Sequence, residues 1–138
     1  MLSSLARNNV FPFKCGEVMK ILIVDDSKAM RMIVTRALRQ ADLGDLDLVE
    51  ANNGAEALER VHEETPDLIL ADWNMPQMNG YELLQALRAQ DSKVKLGFVT
   101  SEGTAEIRHT AMSAGALFLI TKPFTPENFR TTLAPLVR

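Results

Sequence analysis

The segment 21-ILIVDDS-27 contains a run of four apolar residues, two aspartates and a serine. The apolar run is rich in β-branched residues and has the length of a strand that is buried on both faces of a sheet. Ser27 is a suitable N-cap for a helix, because apolar residues after it recur at intervals of three and four. These residues are Met30, Ile33, Val34, Ala37 and Leu38. The segment therefore predicts a buried strand that ends in two carboxylates and leads directly into a helix.

The same strand-then-helix unit is repeated along the rest of the chain. Further strands are predicted at Leu46–Ala51, Leu68–Ala71, Leu96–Thr100 and Ala116–Thr121. Further helices are predicted to begin at a capping box of Asn53 and Glu56, at Asn79 and Glu82, at Thr104, and at Thr125 with Pro126 in the first helical position. Strands joined by helices are parallel, with right-handed crossovers. The sequence thus predicts a doubly wound α/β fold, in which helices cover both faces of five parallel strands.

Composition limits the class of protein. The chain has 138 residues, enough for one domain with a single core, and its 46% hydrophobic and 24% charged residues are typical of a globular protein. A formal net charge of -3 disfavours direct binding of nucleic acid. No apolar run approaches the roughly 18 residues needed to cross a bilayer, so we expect no membrane span and a cytoplasmic location.

The first 18 residues differ from the rest. Asparagines, a proline and a glycine interrupt them, and no hydrophobic period is sustained. A signal peptide is disfavoured, because Arg7 and two asparagines break the apolar stretch. We expect residues 1–18 to be an irregular extension, or the product of an over-long gene start with Met19 as the true beginning. Residues 19–138 would then form the folded domain.

Polar side chains follow the predicted strands at one edge of the sheet. Strand one is followed by Asp25 and Asp26, strand three by Asp72, and strand five by Lys122, while strand four ends in Thr100. Each residue alone is more often a cap, a turn residue or a solvated charge. Ligands of doubly wound sheets, however, bind at the carboxyl ends of the strands, where all five residues are expected. Together they therefore predict a functional site.

The chemistry of this site follows from its charges. Three nearby carboxylates repel one another, so a cation or protons must neutralise them. Oxygen ligands of this kind suit Mg²⁺, which binds one or two carboxylates together with a phosphate. Lys122 supplies a positive charge for a phosphoryl oxygen and Thr100 supplies a hydroxyl donor. The set predicts phosphoryl transfer with a carboxylate as the nucleophile.

These residues resemble the pattern of bacterial response-regulator receiver domains. The resemblance covers the chain from Met19 onward and rests on Asp25-Asp26, on Asp72-Trp73-Asn74-Met75-Pro76 with Gly80, on Thr100, and on Lys122-Pro123-Phe124. The segment from Asp72 to Gly80 is similar to chemotaxis members of that family in particular. The resemblance implies a flavodoxin-like (βα)5 fold with the strand order 2-1-3-4-5, which is the order known for the family.

The resemblance also implies a role for each matching residue. Asp72 would be the phosphoacceptor. Asp26, Asp72 and the backbone carbonyl of Asn74 would bind Mg²⁺ directly, and Asp25 would act mainly through metal-bound water. Thr100 and Lys122 would contact the phosphoryl group, and the bond from Lys122 to the proline after it would be cis.

One position departs from the family pattern. An aromatic residue often stands three positions before the lysine, but here that residue is Leu119. Phe118 is adjacent, and the alternation of side chains along a strand points it to the opposite face. We therefore expect the site to be intact and the usual aromatic relay to be altered.

The function implied is that of a single-domain, monomeric signalling module rather than an enzyme with a separate substrate. It would accept a phosphoryl group from a sensor histidine kinase or a phosphotransfer protein. Because the sequence ends at Arg138, after the fifth helix, output is expected through protein contact or phosphorelay. Two alternatives stay open: a flavodoxin-like redox protein, which the acidic turn after strand one disfavours, and a receiver-like scaffold that is never phosphorylated.

We expect surface or packing roles for several other residues. His62 and His109 are expected on exposed helix surfaces, and the methionines Met75 and Met78 are expected to pack within a loop. Arg31, Arg36 and Arg39 are spaced around the first helix and are expected to face solvent.

Overall fold

The computed structural model describes residues 18–136, which form one parallel sheet with helices on both faces. The strands are β1 (Met19–Val24), β2 (Leu46–Ala51), β3 (Leu68–Ala71), β4 (Lys95–Thr100) and β5 (Leu119–Thr121). The helices are α1 (Lys28–Gln40), α2 (Gly54–Glu64), α3 (Gly80–Ala89), α4 (Ala105–Ser113) and α5 (Pro126–Leu133), and a 3-10 turn follows at Ala134–Leu136. The strand order is β2-β1-β3-β4-β5. The predicted fold and strand order are confirmed.

Two apolar clusters lie on opposite faces of the sheet. On one face, Leu22 and Ile69 pack with residues of α2, α3 and α4. On the other, Ile23 and Leu70 pack with residues of α1 and α5. Because successive strand residues point to opposite faces and both faces are covered, β3 is apolar at every position and β1 is apolar from Ile21 to Val24.

Each helix begins at the polar cap that the sequence predicts. The side chains of Ser27, Asn53, Asn79, Thr104 and Thr125 each accept a hydrogen bond from a backbone N–H in the first turn. The reciprocal capping box is complete for α3 and α5. It is not complete at Asn53, where the prediction was wrong in detail: the Glu56 carboxylate accepts from the N–H of Asn52 instead.

Helix α1 differs from its predicted burial. The sequence placed Ile33 on the buried face, but this side chain is 49% exposed. The buried stripe instead follows Val34, Ala37, Leu38 and Ala41, with Met30 packed against it. Ile33 lies beside that stripe rather than on it, since neighbouring helical residues point about 100° apart.

Strand β5 is shorter than predicted and begins at Leu119 rather than Ala116. Gly115, before it, has a φ of 106°, and the N–H of Leu117 donates to the carbonyl of Leu96. The chain therefore turns and runs beside β4 before a regular ladder forms. No helix within residues 18–136 has the length and apolar character to cross a membrane. The predicted extension, apart from Val18, lies outside the described residues.

Candidate functional site

Three carboxylates meet at the carboxyl edge of the sheet. Asp25, Asp26 and Asp72 each offer a carboxylate oxygen, and these oxygens lie within 4.8 Å of one another. The backbone explains the arrangement: β1 and β3 are adjacent, with Val24 paired with Ala71. The N–H of Asp72 donates to the carbonyl of Val24 at 3.0 Å, so the aspartates begin where the ladder ends.

Lys122 brings a positive charge to these carboxylates. Its Nζ lies 3.4 Å from Oδ2 of Asp25 and 3.6 Å from Oδ2 of Asp72. The lysine directly follows β5, and its own N–H donates to the carbonyl of Thr100. The bond from Lys122 to Pro123 is cis, as the resemblance implied.

Thr100 ends β4 and is fully buried. Its Oγ1 accepts a hydrogen bond of 3.1 Å from the N–H of Glu102, which leaves the hydroxyl proton free to donate. Because Ala71 pairs with Phe98, Thr100 lies near the level of Asp72 on the neighbouring strand. Within residues 18–136, every buried side-chain nitrogen or oxygen has a hydrogen-bond partner.

The loop after Asp72 folds back onto the aspartate. The N–H of Asn74 points to Oδ1 of Asp72 at 3.4 Å, and the N–H of Gly80 donates to the carbonyl of Trp73. A Cβ at Gly80 would lie 2.4 Å from the carbonyl oxygen of Asp72 and 2.6 Å from the ring of Phe98. A glycine is therefore required there for α3 to begin this close to the site.

The charges of the site fit a divalent cation. Burial raises the pKa of Asp25, the nearby Asp72 carboxylate raises it further, and the N–H of Ser27 and Lys122 lower it. Asp25 is therefore harder to ionise than an exposed aspartate, even with Lys122 beside it. Three carboxylates and one ammonium leave two negative charges, which one hard divalent cation with oxygen ligands would balance.

Comparison with known proteins assigns the family. The chain matches the family model of the response regulator receiver domain over residues 21–134. This chain is a member of the response-regulator receiver family. Chemotaxis protein CheY1 of Helicobacter pylori is 39% identical over 83% of this chain and 94% of its own length. A chemotaxis CheY homologue of Campylobacter jejuni is 40% identical over 83% of this chain and 89% of its own length. In structure, chemotaxis protein CheY4 of Vibrio cholerae aligns with a TM-score of 0.76 at 32% identity, covering 87% of this chain and 99% of that one.

The receiver has Leu119 where the family pattern often has an aromatic residue. Its neighbour Phe118 points to the opposite face of the sheet, as predicted. Leu119 packs in the cluster on the α2–α4 face, whereas Phe118 packs against the cluster on the opposite face. The Phe118 ring lies over Gly97 of β4, where a Cβ would approach it to 2.2 Å. Arg108 of α4 donates to the carbonyl of Leu119 at 3.2 Å, so α4 contacts the edge strand β5 through a backbone atom.

The receiver also contains a residue near the site that the sequence interpretation missed. Arg31 was expected to face solvent, but it is buried, with 6% exposure. Its Nη1 donates to the backbone carbonyl of Asp25, and its Nε donates to the Glu50 carboxylate at 2.6 Å. Arg31 precedes Val34 of the buried stripe by three residues. This helical spacing could have indicated that Arg31 lies on the buried face.

The two histidines lie on the surface, and two loop methionines pack against the core. His62 and His109 are exposed, as predicted. Met75 and Met78 pack with the cluster on the α2–α4 face, which confirms their role in packing.

Proposed function

We propose that this receiver accepts a phosphoryl group on Asp72 in a Mg²⁺-dependent reaction and signals by changing which protein it binds. The observation that carries the proposal is the convergence of three carboxylates and Lys122 at one edge of the sheet. The family membership and the similarity to chemotaxis proteins support it. The donor would be a phosphohistidine on a sensor kinase or a phosphotransfer protein.

The residues present suit Mg²⁺ because its preferred ligands are carboxylate and carbonyl oxygens. Asp26, Asp72 and the carbonyl of Asn74 would hold the ion, and Asp25 would act through a bound water. When bound, Mg²⁺ supplies positive charge that offsets the negative charge of the phosphoryl oxygens and of the acceptor.

The transfer is a displacement at phosphorus. A carboxylate oxygen of Asp72 forms the new P–O bond while the P–N bond to the donor histidine breaks, and the electron pair stays on the imidazole nitrogen. Lys122, which now lies near Asp25 and Asp72, would pair with a phosphoryl oxygen. Hydrolysis would later return Asp72 to a carboxylate, as water attacks the phosphorus and inorganic phosphate leaves.

Output would begin at Thr100. Its hydroxyl would donate a hydrogen bond to the phosphoryl group, and the movement of Oγ1 towards that group would pull on the N–H of Glu102, from which Oγ1 accepts a hydrogen bond. The next residue, Gly103, lies so close to Thr121 that a Cβ would be 2.2 Å from the threonine methyl. A shift of this loop would therefore reach β5, where Leu119 replaces the usual aromatic residue. A protein partner would recognise the change, and the receiver would act as a cytoplasmic monomer that contacts no nucleic acid.

Labelling with acetyl phosphate and Mg²⁺, followed by intact mass measurement, tests the proposal. The wild type should gain one phosphoryl mass, whereas Asp72→Asn should gain none because an amide is not a competent nucleophile. Asp45→Asn, at an exposed aspartate away from the site, is the matched control and should be labelled normally. An unlabelled wild type would favour the scaffold that is never phosphorylated, and labelled Asp72→Asn would move the acceptor elsewhere.

A further inference from the structure

Arg31 is a buried cation that the proposed chemistry does not use. Arginine is almost never fully buried unless its charge is paired. Here the guanidinium has two partners from different elements: the carbonyl of Asp25 after β1 and the carboxylate of Glu50 in β2. The ion pair with Glu50 compensates the buried charge, so the hydrogen bond to the carbonyl can be kept in the interior.

The position of Arg31 on α1 is unfavourable for a charge. It is the fourth residue of the helix, where the helix dipole disfavours a cation. The other two arginines of α1, Arg36 and Arg39, lie towards its C-terminal end and are exposed. The helix dipole therefore does not explain why an arginine stands at position 31. The contacts of its guanidinium do explain it.

The carbonyl that Arg31 holds belongs to the peptide joining Asp25 to Asp26. The N–H of Asp25 is fixed by the carbonyl of Ala51, and the Asp25 carboxylate accepts from the N–H of Ser27. The hydrogen bond from Arg31 fixes the remaining polar group, the carbonyl, and so sets the plane of this peptide. That plane determines where both aspartate side chains leave the backbone.

We propose that Arg31 is a positioning residue, which orients the carboxylates of Asp25 and Asp26 for the cation without contacting the cation or the phosphoryl group. Glu50 holds the guanidinium in place from β2. This inference rests on the proposed function, since it assigns a means of shaping the proposed Mg²⁺ site. Residues that orient metal ligands in this way typically change metal affinity by about 10–100-fold when mutated.

Mg²⁺ titrations of the full chain test the inference, with the fluorescence of Trp73 as the signal. Arg31→Met should raise the Mg²⁺ concentration for half-saturation about tenfold. Arg31→Lys keeps a charge but lacks the planar fork, so it should restore part of the affinity. Arg36→Met, an equivalent change at an exposed arginine of the same helix, should match the wild type. With acetyl phosphate, Arg31→Met should need more Mg²⁺ but reach nearly the wild-type rate at saturation.

The outcomes separate positioning from a general effect on stability. If Arg31→Met lowers the melting temperature but has the same half-saturation as Arg36→Met, Arg31 is only structural and the inference is wrong. If Arg31→Met does not fold, Glu50→Gln provides the test, because it leaves the arginine in place but loosens it. Its half-saturation should rise severalfold, and an unchanged value would overturn the inference. A wild type without any Mg²⁺ response would overturn the proposed function as well.

Discussion

Lys122 and Asp25 are 97 positions apart in the sequence, yet Nζ of the lysine lies 3.4 Å from the aspartate carboxylate. The two residues follow β5 and β1, which are separated in the sheet by β3 and β4. Since parallel strands all end at the same edge, the lysine crosses the ends of the intervening strands to reach the acidic residues. The distance therefore depends on the register of most of the sheet.

Mg²⁺ should stabilise the protein. A ligand that binds only the folded state adds about 2.7 kcal/mol to the free energy of unfolding at a hundredfold excess over its dissociation constant. The melting temperature should rise with Mg²⁺, and Asp26→Ala should weaken that rise by removing a ligand. In EDTA, the same variant should be at least as stable as the wild type, because one of three repelling carboxylates is gone. A melting temperature that ignores Mg²⁺ in the wild type would contradict the proposed metal site.

Trp73 should report the same binding event optically. It is the only tryptophan, it directly follows Asp72, and its ring packs against Phe98 at 5.0 Å and Tyr81 at 5.8 Å. A cation bound next to Asp72 changes the electric field and the loop around the indole. Its fluorescence should change saturably with Mg²⁺, and Asp26→Ala should shift the curve to higher concentration. Equal curves for the two proteins would exclude Asp26 as a ligand.

Asp25 should make the metal-free protein less stable as the pH rises. Burial raises the pKa of Asp25, so the folded state binds this proton more tightly than the unfolded state does. The stabilisation that the folded state gains from this proton is fully present below the ordinary carboxyl pKa of about 3.9. It is lost as the pH rises through the raised pKa of Asp25. In EDTA, the unfolding free energy of Asp25→Asn should therefore increase relative to that of the wild type as the pH rises from the ordinary carboxyl pKa through the raised pKa of Asp25. A difference that is constant with pH would contradict the prediction.

Asn74 and Glu102 should control how long the phosphoryl group survives. Both are exposed and lie two residues after Asp72 and Thr100, beside the expected path of the attacking water. Asn74→Leu and Glu102→Leu should each slow hydrolysis severalfold, measured as loss of phosphoryl mass after acetyl phosphate is removed. Glu63→Leu, at an exposed glutamate near the end of α2, is the control. Unchanged lifetimes in both variants would argue against water access as the determinant.

Residues 1–18 should be dispensable for the chemistry. They contain no proposed site residue, and the described domain begins with Met19, which is buried and donates its N–H to Asp45. A truncated chain that starts at Met19 should be labelled by acetyl phosphate at the wild-type rate and melt at a similar temperature. If it fails to fold, the extension is part of the core and the proposed boundary is wrong.

The sequence predicted the fold and the convergence of the acidic residues because both follow from parallel strands joined by helices, whereas the strand order came from the family resemblance. Apolar runs followed by polar residues mark where strands end, and parallel pairing brings those ends together. It did not predict the burial of Arg31, because the partners of this residue lie on two other elements and only their packing shows that the charge is compensated. The predicted burial of Ile33 was wrong for a related reason, since spacing alone could not show which edge of the apolar stripe faces the sheet.

The contact of Phe118 with Gly97 has a consequence for the evolution of this receiver. The two residues lie side by side on β4 and the segment leading into β5, and the ring occupies the space that a side chain at position 97 would need. Position 97 therefore cannot gain a side chain unless the residue at position 118 becomes smaller or moves. Lineages that acquire a larger residue at position 97 should carry a smaller one at position 118, so the two columns of a family alignment should covary.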